Sequence, residues 1–152
     1  MLDLIIIGGS SAATPAAIYA ARRGLKFKIV TKDFGGELAT SGEIGNWPGI
    51  VSTSGIALAQ QFREHLEALK VEIDEGIEVE KIIKRESGFC IGIEGNTCAY
   101  EAKTVIVATG AHPKELNIPG EKEFRTKGVS YCTVCDGPIF SGKVTATIGG
   151  GN

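Results

Sequence analysis

The sequence predicts an α/β protein: a doubly wound sheet with a small antiparallel meander, followed by the start of a second unit of the same kind. Three observations carry that prediction. An apolar run, Leu2 to Ile7, stops at Gly8-Gly9 and passes into an alanine-rich segment. A second β-branched run, Phe27 to Thr31, comes shortly after that segment. Near the carboxyl end the pattern returns, with Lys143 to Ile148 followed by Gly149-Gly150-Gly151. Strand, glycine-rich turn, helix and strand form the βαβ unit of an open parallel sheet.

Each element has its own signal. Leu2 to Ile7 is apolar throughout, as a parallel strand covered on both faces must be. Ser10-Ser11 are expected to cap the helix that follows. That helix carries Ala12, Ala16, Ala17, Ile18, Ala20 and Ala21 and ends at Arg22-Arg23-Gly24, basic residues and then a glycine. Pro15 must fall in its first turn, because deeper it would remove an internal hydrogen bond. Phe27 to Thr31 is the second strand. Gly35 to Gly49 reads as a long irregular loop, and such loops inside compact domains usually serve function. A helix over about Gly55 to Lys70 follows from the stripe Ile56, Leu58, Ala59, Phe62, Leu66 and Leu69. Val71 to Ile73, Glu78 to Arg85, Gly88 to Ile93 and Cys98 to Glu101 are short runs between turn residues, and together they read as the meander. Thr104 to Val107 is another buried strand, leading into Ala108-Thr109-Gly110. A loop then runs from Pro113 past Pro119-Gly120 to a cysteine pair, and Lys143 to Ile148 is the last strand. A glycine triplet after a strand opens a second phosphate-binding turn, so the sequence is expected to be the first part of a longer protein.

Composition excludes several classes. The 152 residues carry a net charge of −2 and a pI near 5.7, which gives no electrostatic case for nucleic acid or an anionic membrane surface. Charged residues make up 22% without long runs of one sign, unlike a disordered chain. The first residues lack a basic leader, and no apolar stretch approaches the roughly 18 residues of a membrane span. A cytoplasmic protein is the expectation. The 21 glycines are about twice the average frequency. They cluster beyond apolar runs, where a backbone approaches a ligand closely.

Cys132-Thr133-Val134-Cys135-Asp136 is the most chemical stretch. Two thiols at this spacing can close a disulfide ring and pass two electrons to another dithiol, with one thiol pKa lowered into a useful range. The same spacing is half of many zinc sites. A tetrahedral zinc needs two further ligands. Cys90, Cys98, His65 and His112 supply no close second pair, so no metal is expected. Cys90 and Cys98 are expected to be reduced, buried apolar residues. His65 reads as solvated, His112 as a loop residue and Trp47 as packed beneath the loop. The first glycine turn places Gly8, Ser10 and Ala13 where a dinucleotide fingerprint has glycines. On the residues alone it is either a nucleotide-binding turn or a merely tight one. Asp33, near the end of the second strand, is likewise either a ribose ligand or a solvated loop acid.

Seven segments occur in one order: Ile5-Ile6-Ile7-Gly8, Ala17-Ile18-Tyr19-Ala20-Ala21-Arg22, Gly35-Gly36-Glu37-Leu38, Asn46-Trp47-Pro48-Gly49, Ala108-Thr109-Gly110-Ala111, Cys132-Thr133-Val134-Cys135-Asp136-Gly137 and Ile148-Gly149-Gly150-Gly151-Asn152. Together they resemble the amino-terminal half of the low-molecular-weight thioredoxin reductases, over essentially the whole chain. The resemblance implies a Rossmann-like FAD-binding domain over residues 1–113, discontinuous in the full protein. It also implies the start of an NADPH-binding domain, carrying the redox pair, over 114–152. It implies an FAD site built from Gly8, Ser10, Ser11 and Ala12, from Thr31, Asp33, Gly35, Gly36, Glu37 and Leu38, and from Asn46, Ile77, Ala108, Thr109 and Gly110. NADPH would meet the loop at Gly149 and Gly151. Cys135 would face the flavin, Cys132 would attack the disulfide of thioredoxin or a thioredoxin-like protein, and Asp136 would be the acid–base group. A homodimer is implied for the full-length protein, and little or no turnover for residues 1–152 alone.

Three positions depart from the family pattern. Ser10 replaces a glycine, Pro15 a small or polar helix former, and Glu37 a common glutamine. Two other readings remain. One is a flavin- or nucleotide-binding module without turnover. The other is the reductase part of an alkyl hydroperoxide reductase-like system, which is similar but carries extra domains ahead of the strand at which this sequence begins.

Overall fold

The computed structural model describes residues 1–125 and 127–149, apart from the side chains of Val134 and Cys135. The chain forms two compact units, Met1–His112 and Pro113–Asn152.

In the first unit β1 (Leu2–Ile7), α1 (Ala13–Arg22) and β2 (Phe27–Thr31) form the βαβ unit. They are followed by α2 (Gly36–Thr40), β3 (Glu43–Ile44), β4 (Thr53–Ser54), α3 (Gly55–Ala68), β5 (Ile73–Glu75), β6 (Val79–Arg85), β7 (Gly88–Ile93) and β8 (Asn96–Val107). The main sheet has the order β5-β2-β1-β8-β7-β6, and β3 and β4 form a separate two-stranded ribbon. β1 pairs parallel with β2 on one side and with β8 on the other. The fold class is therefore the expected one, a mostly parallel Rossmann-like sheet with an antiparallel part.

Both faces of β1 are covered. Leu4 and Ile6 pack with Ile29, with Ala13, Ala17 and Ala20 of α1, and with Leu66 of α3. Ile5 and Ile7 pack with Val30, Ile91 and Ala102 on the other face. Successive strand residues point to opposite faces, which explains why the run is continuously apolar. Alanines on α1 let the helix approach the sheet closely. Pro15 lies in the first turn of α1, where its missing N–H costs nothing.

Several expectations are corrected. The loop at Gly35 to Gly49 is not structureless, because it contains α2 and β3. A small core of Ile44, Leu58 and Phe62 holds it down, with Trp47 against Phe62 at a ring separation of 5.1 Å. β6, β7 and the first half of β8 form the expected antiparallel meander. The run expected at Val71 to Ile73 is displaced to β5, Ile73–Glu75, which pairs parallel with β2 and so lies on the parallel edge. Cys98 to Glu101 and Thr104 to Val107 are one strand, β8, because nothing between them forms a turn. Its first half pairs antiparallel with β7 and its second half parallel with β1, Ala102 serving both ladders. Lys143 to Ile148 forms no strand, since no described segment pairs with it, and Val144 and Ile148 are exposed. Ile56 and Leu69 fall outside the buried stripe of α3. Ser10 and Ser11 do not cap α1. Its N-cap is Ala12, without a side-chain bond, whereas Ser54 caps α3 by accepting the Ala57 N–H at 3.2 Å. Cys90 and Cys98 are joined by a disulfide. The tight return between β7 and β8 brings their Cα atoms to 5.3 Å, within bridging range.

One polar cluster ties distant strands. Lys28 Nζ donates to both oxygens of Asp74 at 3.0 Å, and the Tyr100 hydroxyl donates to Asp74 at 2.9 Å. Burial, followed by the Asp74 carboxylate, pushes the Tyr100 phenol up to about 12.

Leu66 is fully buried and belongs to the cluster that joins α3 to α1 and the sheet. Leu66→Ala is expected to cost about 2–5 kcal/mol, read as a lower urea midpoint at unchanged slope. A change within about 0.5 kcal/mol would mean that α3 does not carry the core.

Candidate functional site

The carboxyl ends of β1, β2 and β8 meet at one place. Gly8 donates its N–H to the Val30 carbonyl at 2.9 Å, and Ala108 donates its own to the Ile7 carbonyl at 2.8 Å. Gly8 has φ +115°, and a Cβ there would collide with the Ala108 carbonyl. No side chain fits at that position. At the next residue, Gly9, a Cβ would lie 2.9 Å from Thr31 Cγ2. Gly35 donates its N–H to the Gly9 carbonyl at 2.9 Å, and the Ser10 hydroxyl donates to the Gly35 carbonyl at 2.5 Å. The departure at Ser10 thus has a structural use: it fastens the β2–α2 loop to the glycine turn.

Ser11 and Ala12 are exposed or close to the surface at the mouth of α1. The first turn of this helix carries no acidic residue, so its N–H groups and positive dipole end have no local side-chain counter-charge. Thr14, one turn further in, holds a buried hydroxyl without a hydrogen-bond partner. An uncompensated helix start behind a glycine cradle is suited to an anionic phosphate, so the residues present fit a dinucleotide.

Around this turn, Ile77 donates its N–H to the Thr31 carbonyl at 3.0 Å, bringing it to the end of β2. Thr31 is buried, and its hydroxyl donates to the Asp33 carbonyl at 3.1 Å. The Asp33 side chain itself is exposed. Gly36 begins α2 beside Ser10, its Cβ position 3.7 Å from that of Ser10. Glu37 and Leu38 follow on α2, and Leu38 packs on the loop core. Ala108, Thr109 and Gly110 continue β8 past the turn. Ile7, Val107 and Thr109 line a shallow groove with Val79 and Lys81 of β6. Asn46 is exposed on the β3–β4 loop, and no described contact ties it to the turn. His112 is an exposed loop residue, as the sequence predicts, and its Nδ1 lies 2.7 Å from Glu37 Oε1, a contact the sequence did not show. The position of His112 directly after the Ala108–Ala111 segment was the available signal.

The second unit holds the cysteine pair. Cys132 precedes a one-turn helix, α4 (Thr133–Asp136), which runs into a 3-10 turn, Gly137–Phe140. Cys132 is half-buried and disulfide-bonded. Cys135 belongs to α4, and its side chain lies outside the described residues. Asp136 donates its N–H to the Cys132 carbonyl at 3.0 Å. The Ser130 hydroxyl donates to Asp136 Oδ2 at 2.6 Å, and Ser130 Oγ accepts the Cys132 N–H at 3.1 Å. Glu121, only 4% exposed, accepts the Leu116 N–H at 2.8 Å, the Ile118 N–H at 3.3 Å and the Tyr131 hydroxyl at 2.7 Å. These donors, Tyr131 first, hold the Glu121 carboxyl below the usual carboxylate range. The same bond pushes the Tyr131 phenol up to about 12. The Arg125 guanidinium sits 5.4 Å from the Tyr131 ring centre. Gly149 has φ +99° and lies in no regular element. Gly151 lies outside the described residues. Among the described residues no group of three His, Cys, Asp or Glu could hold a metal ion, and no helix is long and apolar enough to cross a membrane.

The sequence matches the pyridine nucleotide-disulphide oxidoreductase family over residues 2–152. It is 39% identical over 150 residues to an NADH dehydrogenase of Bacillus subtilis (strain 168), covering 99% of this chain and 29% of the relative. It is 40% identical over 151 residues to a component of the alkyl hydroperoxide reductase of Pseudomonas putida, with the same two coverages, 99% and 29%. The crystal structure of thioredoxin reductase from Streptococcus pyogenes MGAS5005 is similar at TM-score 0.84 and 42% identity, over 92% of this chain and 45% of that one. The chain thus spans less than a third of the length of the curated relatives it matches.

The Glu121–Tyr131 bond sets a pH window. Glu121 stabilises the fold above the unfolded carboxylate range, and that contribution is lost as pH falls through its lowered folded value. Tyr131 stabilises it fully below about 10, and that contribution is lost as pH rises through about 12. Tyr100 and Tyr131, two of the three tyrosines, should therefore ionise near 12 in an ultraviolet titration. Glu121→Gln should move one of them back towards about 10; an unchanged curve would mean that the bond is not made.

Proposed function

The chain belongs to the pyridine nucleotide-disulphide oxidoreductase family, and we propose that it is the amino-terminal part of a thioredoxin-disulfide reductase. In this reading electrons pass from NADPH through FAD to the disulfide of Cys132 and Cys135, and on to thioredoxin or a thioredoxin-like protein. The observation that carries it is the Cys132-x-x-Cys135-Asp136 run, with Cys132 disulfide-bonded and Asp136 hydrogen-bonded back to it. The protein is proposed to work as a homodimer when full length.

The FAD would be held at the glycine turn. The backbone N–H groups of Ser10, Ser11 and Ala12 and the positive end of α1 would receive its pyrophosphate, and Gly8 permits the tight turn that presents them. Asp33 would take the ribose hydroxyls. Gly35, Gly36, Glu37, Leu38, Asn46, Ile77, Ala108, Thr109 and Gly110 would line the remainder, Thr31 closing the site from beneath. Glu37 can only accept hydrogen bonds when ionised, and its contact with His112 gives that charge a partner. When bound, the flavin supplies hydride acceptance from a nicotinamide and two-electron reduction of a disulfide. Gly149 and Gly151 would open the NADPH phosphate loop.

The remaining chemistry belongs to the sulfurs and the carboxyl. Reduction leaves Cys132 and Cys135 as a dithiol. The Cys132 thiolate attacks one sulfur of the partner's disulfide; a mixed disulfide forms and the other partner sulfur leaves. Cys135 then attacks Cys132, re-forming the internal disulfide and releasing the second partner sulfur. Asp136 holds and delivers the protons that the two leaving sulfurs require.

A second reading is the reductase part of an alkyl hydroperoxide reductase-like system, supported by the relatives of that name. It shares the path as far as Cys132 and differs in which disulfide accepts the electrons.

The full-length protein is expected to be yellow and to reduce thioredoxin with NADPH. Cys135→Ser should abolish that turnover while keeping the colour, and Asp136→Asn should lower kcat by about 10²–10⁴-fold. Gly8→Ala should lose the flavin itself, read as colourless protein after purification. Colourless wild-type protein, or turnover that survives Cys135→Ser, would overturn the reading. Efficient reduction of a fused or separate peroxidase-linked domain but not of thioredoxin would favour the second.

A further inference from the structure

We propose that Ser130 is a positioning residue: its single hydroxyl holds the Asp136 carboxyl against the Cys132 end of α4. The inference rests on the disulfide-reductase reading above and concerns the same site.

Three hydrogen bonds close a ring. Ser130 Oγ donates to Asp136 Oδ2 at 2.6 Å and accepts the Cys132 N–H at 3.1 Å. Asp136 returns its own N–H to the Cys132 carbonyl at 3.0 Å. The acid and the sulfur-bearing residue are thereby fixed to each other through one side chain outside the Cys-x-x-Cys motif. The residue between Ser130 and Cys132 is anchored as well, since Tyr131 is tied to the buried Glu121. The ring is therefore mounted on a fixed support. A one-turn helix could not supply such rigidity by its own backbone bonds.

The chemistry of the hydroxyl suits an acid–base partner. A serine hydroxyl has one donor and two acceptor lone pairs. It can donate to Asp136 when the carboxyl is ionised and accept from it when the carboxyl is protonated, so the bond survives the proton transfer. A lysine or arginine at the same place would satisfy only the ionised form. During exchange the Cys132–S bond to the partner forms as the partner's S–S bond breaks, and the leaving sulfur takes the Asp136 proton. When Cys135 displaces the second partner sulfur, two electrons and two protons have left the enzyme dithiol for the partner. Ser130 keeps the carboxyl oriented through both steps without itself reacting.

The test is a double-mutant cycle in the full-length enzyme, reading kcat and KM for NADPH-driven thioredoxin reduction in Ser130→Ala, Ser130→Thr, Asp136→Asn and Ser130→Ala/Asp136→Asn. Loss of a charge-assisted bond predicts a kcat lowered roughly tenfold to a hundredfold in Ser130→Ala, with KM and the flavin spectrum unchanged. Ser130→Thr, which keeps the hydroxyl, should recover most of the rate. In the Asp136→Asn background Ser130→Ala should add little, because the residue acts through that carboxyl. Parental kcat in Ser130→Ala, failure of Thr to rescue, or losses that simply multiply would overturn the proposal. A parent enzyme that does not reduce disulfides would overturn the functional reading and the Ser130 role together. An active parent with an indifferent Ser130→Ala overturns the Ser130 role alone.

Discussion

The approach of Gly8 to the Ala108 carbonyl is the contact on which the candidate cofactor site depends. β1 is caught between two parallel neighbours, and at its end it must turn away without leaving their hydrogen bonds. Gly8 does so at φ +115°, where a side chain would strike Ala108. The same residue bonds to β2 through Val30, while Ala108 bonds back to Ile7. Three strand ends are thereby gathered at the start of α1. The Ser10–Gly35 fastening and the place of Ala108 to Gly110 follow from that convergence, and the helix start beside them carries no acidic residue in its first turn.

The second unit is ordered around its cysteine turn by polar groups. Its exposed apolar residues include Leu116, Ile118, Phe124 and Ile139, so little burial organises the cysteine turn. Its order comes from the Glu121 carboxylate, which draws three donors, and from the Ser130 hydroxyl, which links Asp136 to Cys132. Charge-assisted bonds of this kind are short and directional. They fix a geometry that a four-residue helix cannot maintain by itself.

Legibility in the sequence divided along physical lines. β1, α1, β2, α3 and the hairpin strands were readable because each buries a regular apolar pattern. The resemblance was readable because its segments lie in family order over the whole chain, and the family match over residues 2–152 agrees with it. Readings failed where pairing, not pattern, decides. β5 lies parallel because it meets β2, and β8 is continuous because β7 and β1 take its two halves in succession. Lys143 to Ile148 has the composition of a strand but no described partner. The Cys90–Cys98 bridge, the Glu121–Tyr131 bond and the Glu37–His112 contact join residues whose proximity exists only after the strands and turns are in place. Ser10 was visible as a departure, but its use was not, because the Gly35 carbonyl it binds is 25 positions away.

The three strand ends are proposed to form one dinucleotide cradle. Hydrogen–deuterium exchange of the full-length protein with and without FAD tests it directly. FAD should slow exchange together at Gly8 to Ala13, at Thr31 to Leu38 and at Ala108 to Gly110. Slowing confined to other segments, or unchanged exchange at the Gly8 turn despite bound flavin, would contradict it.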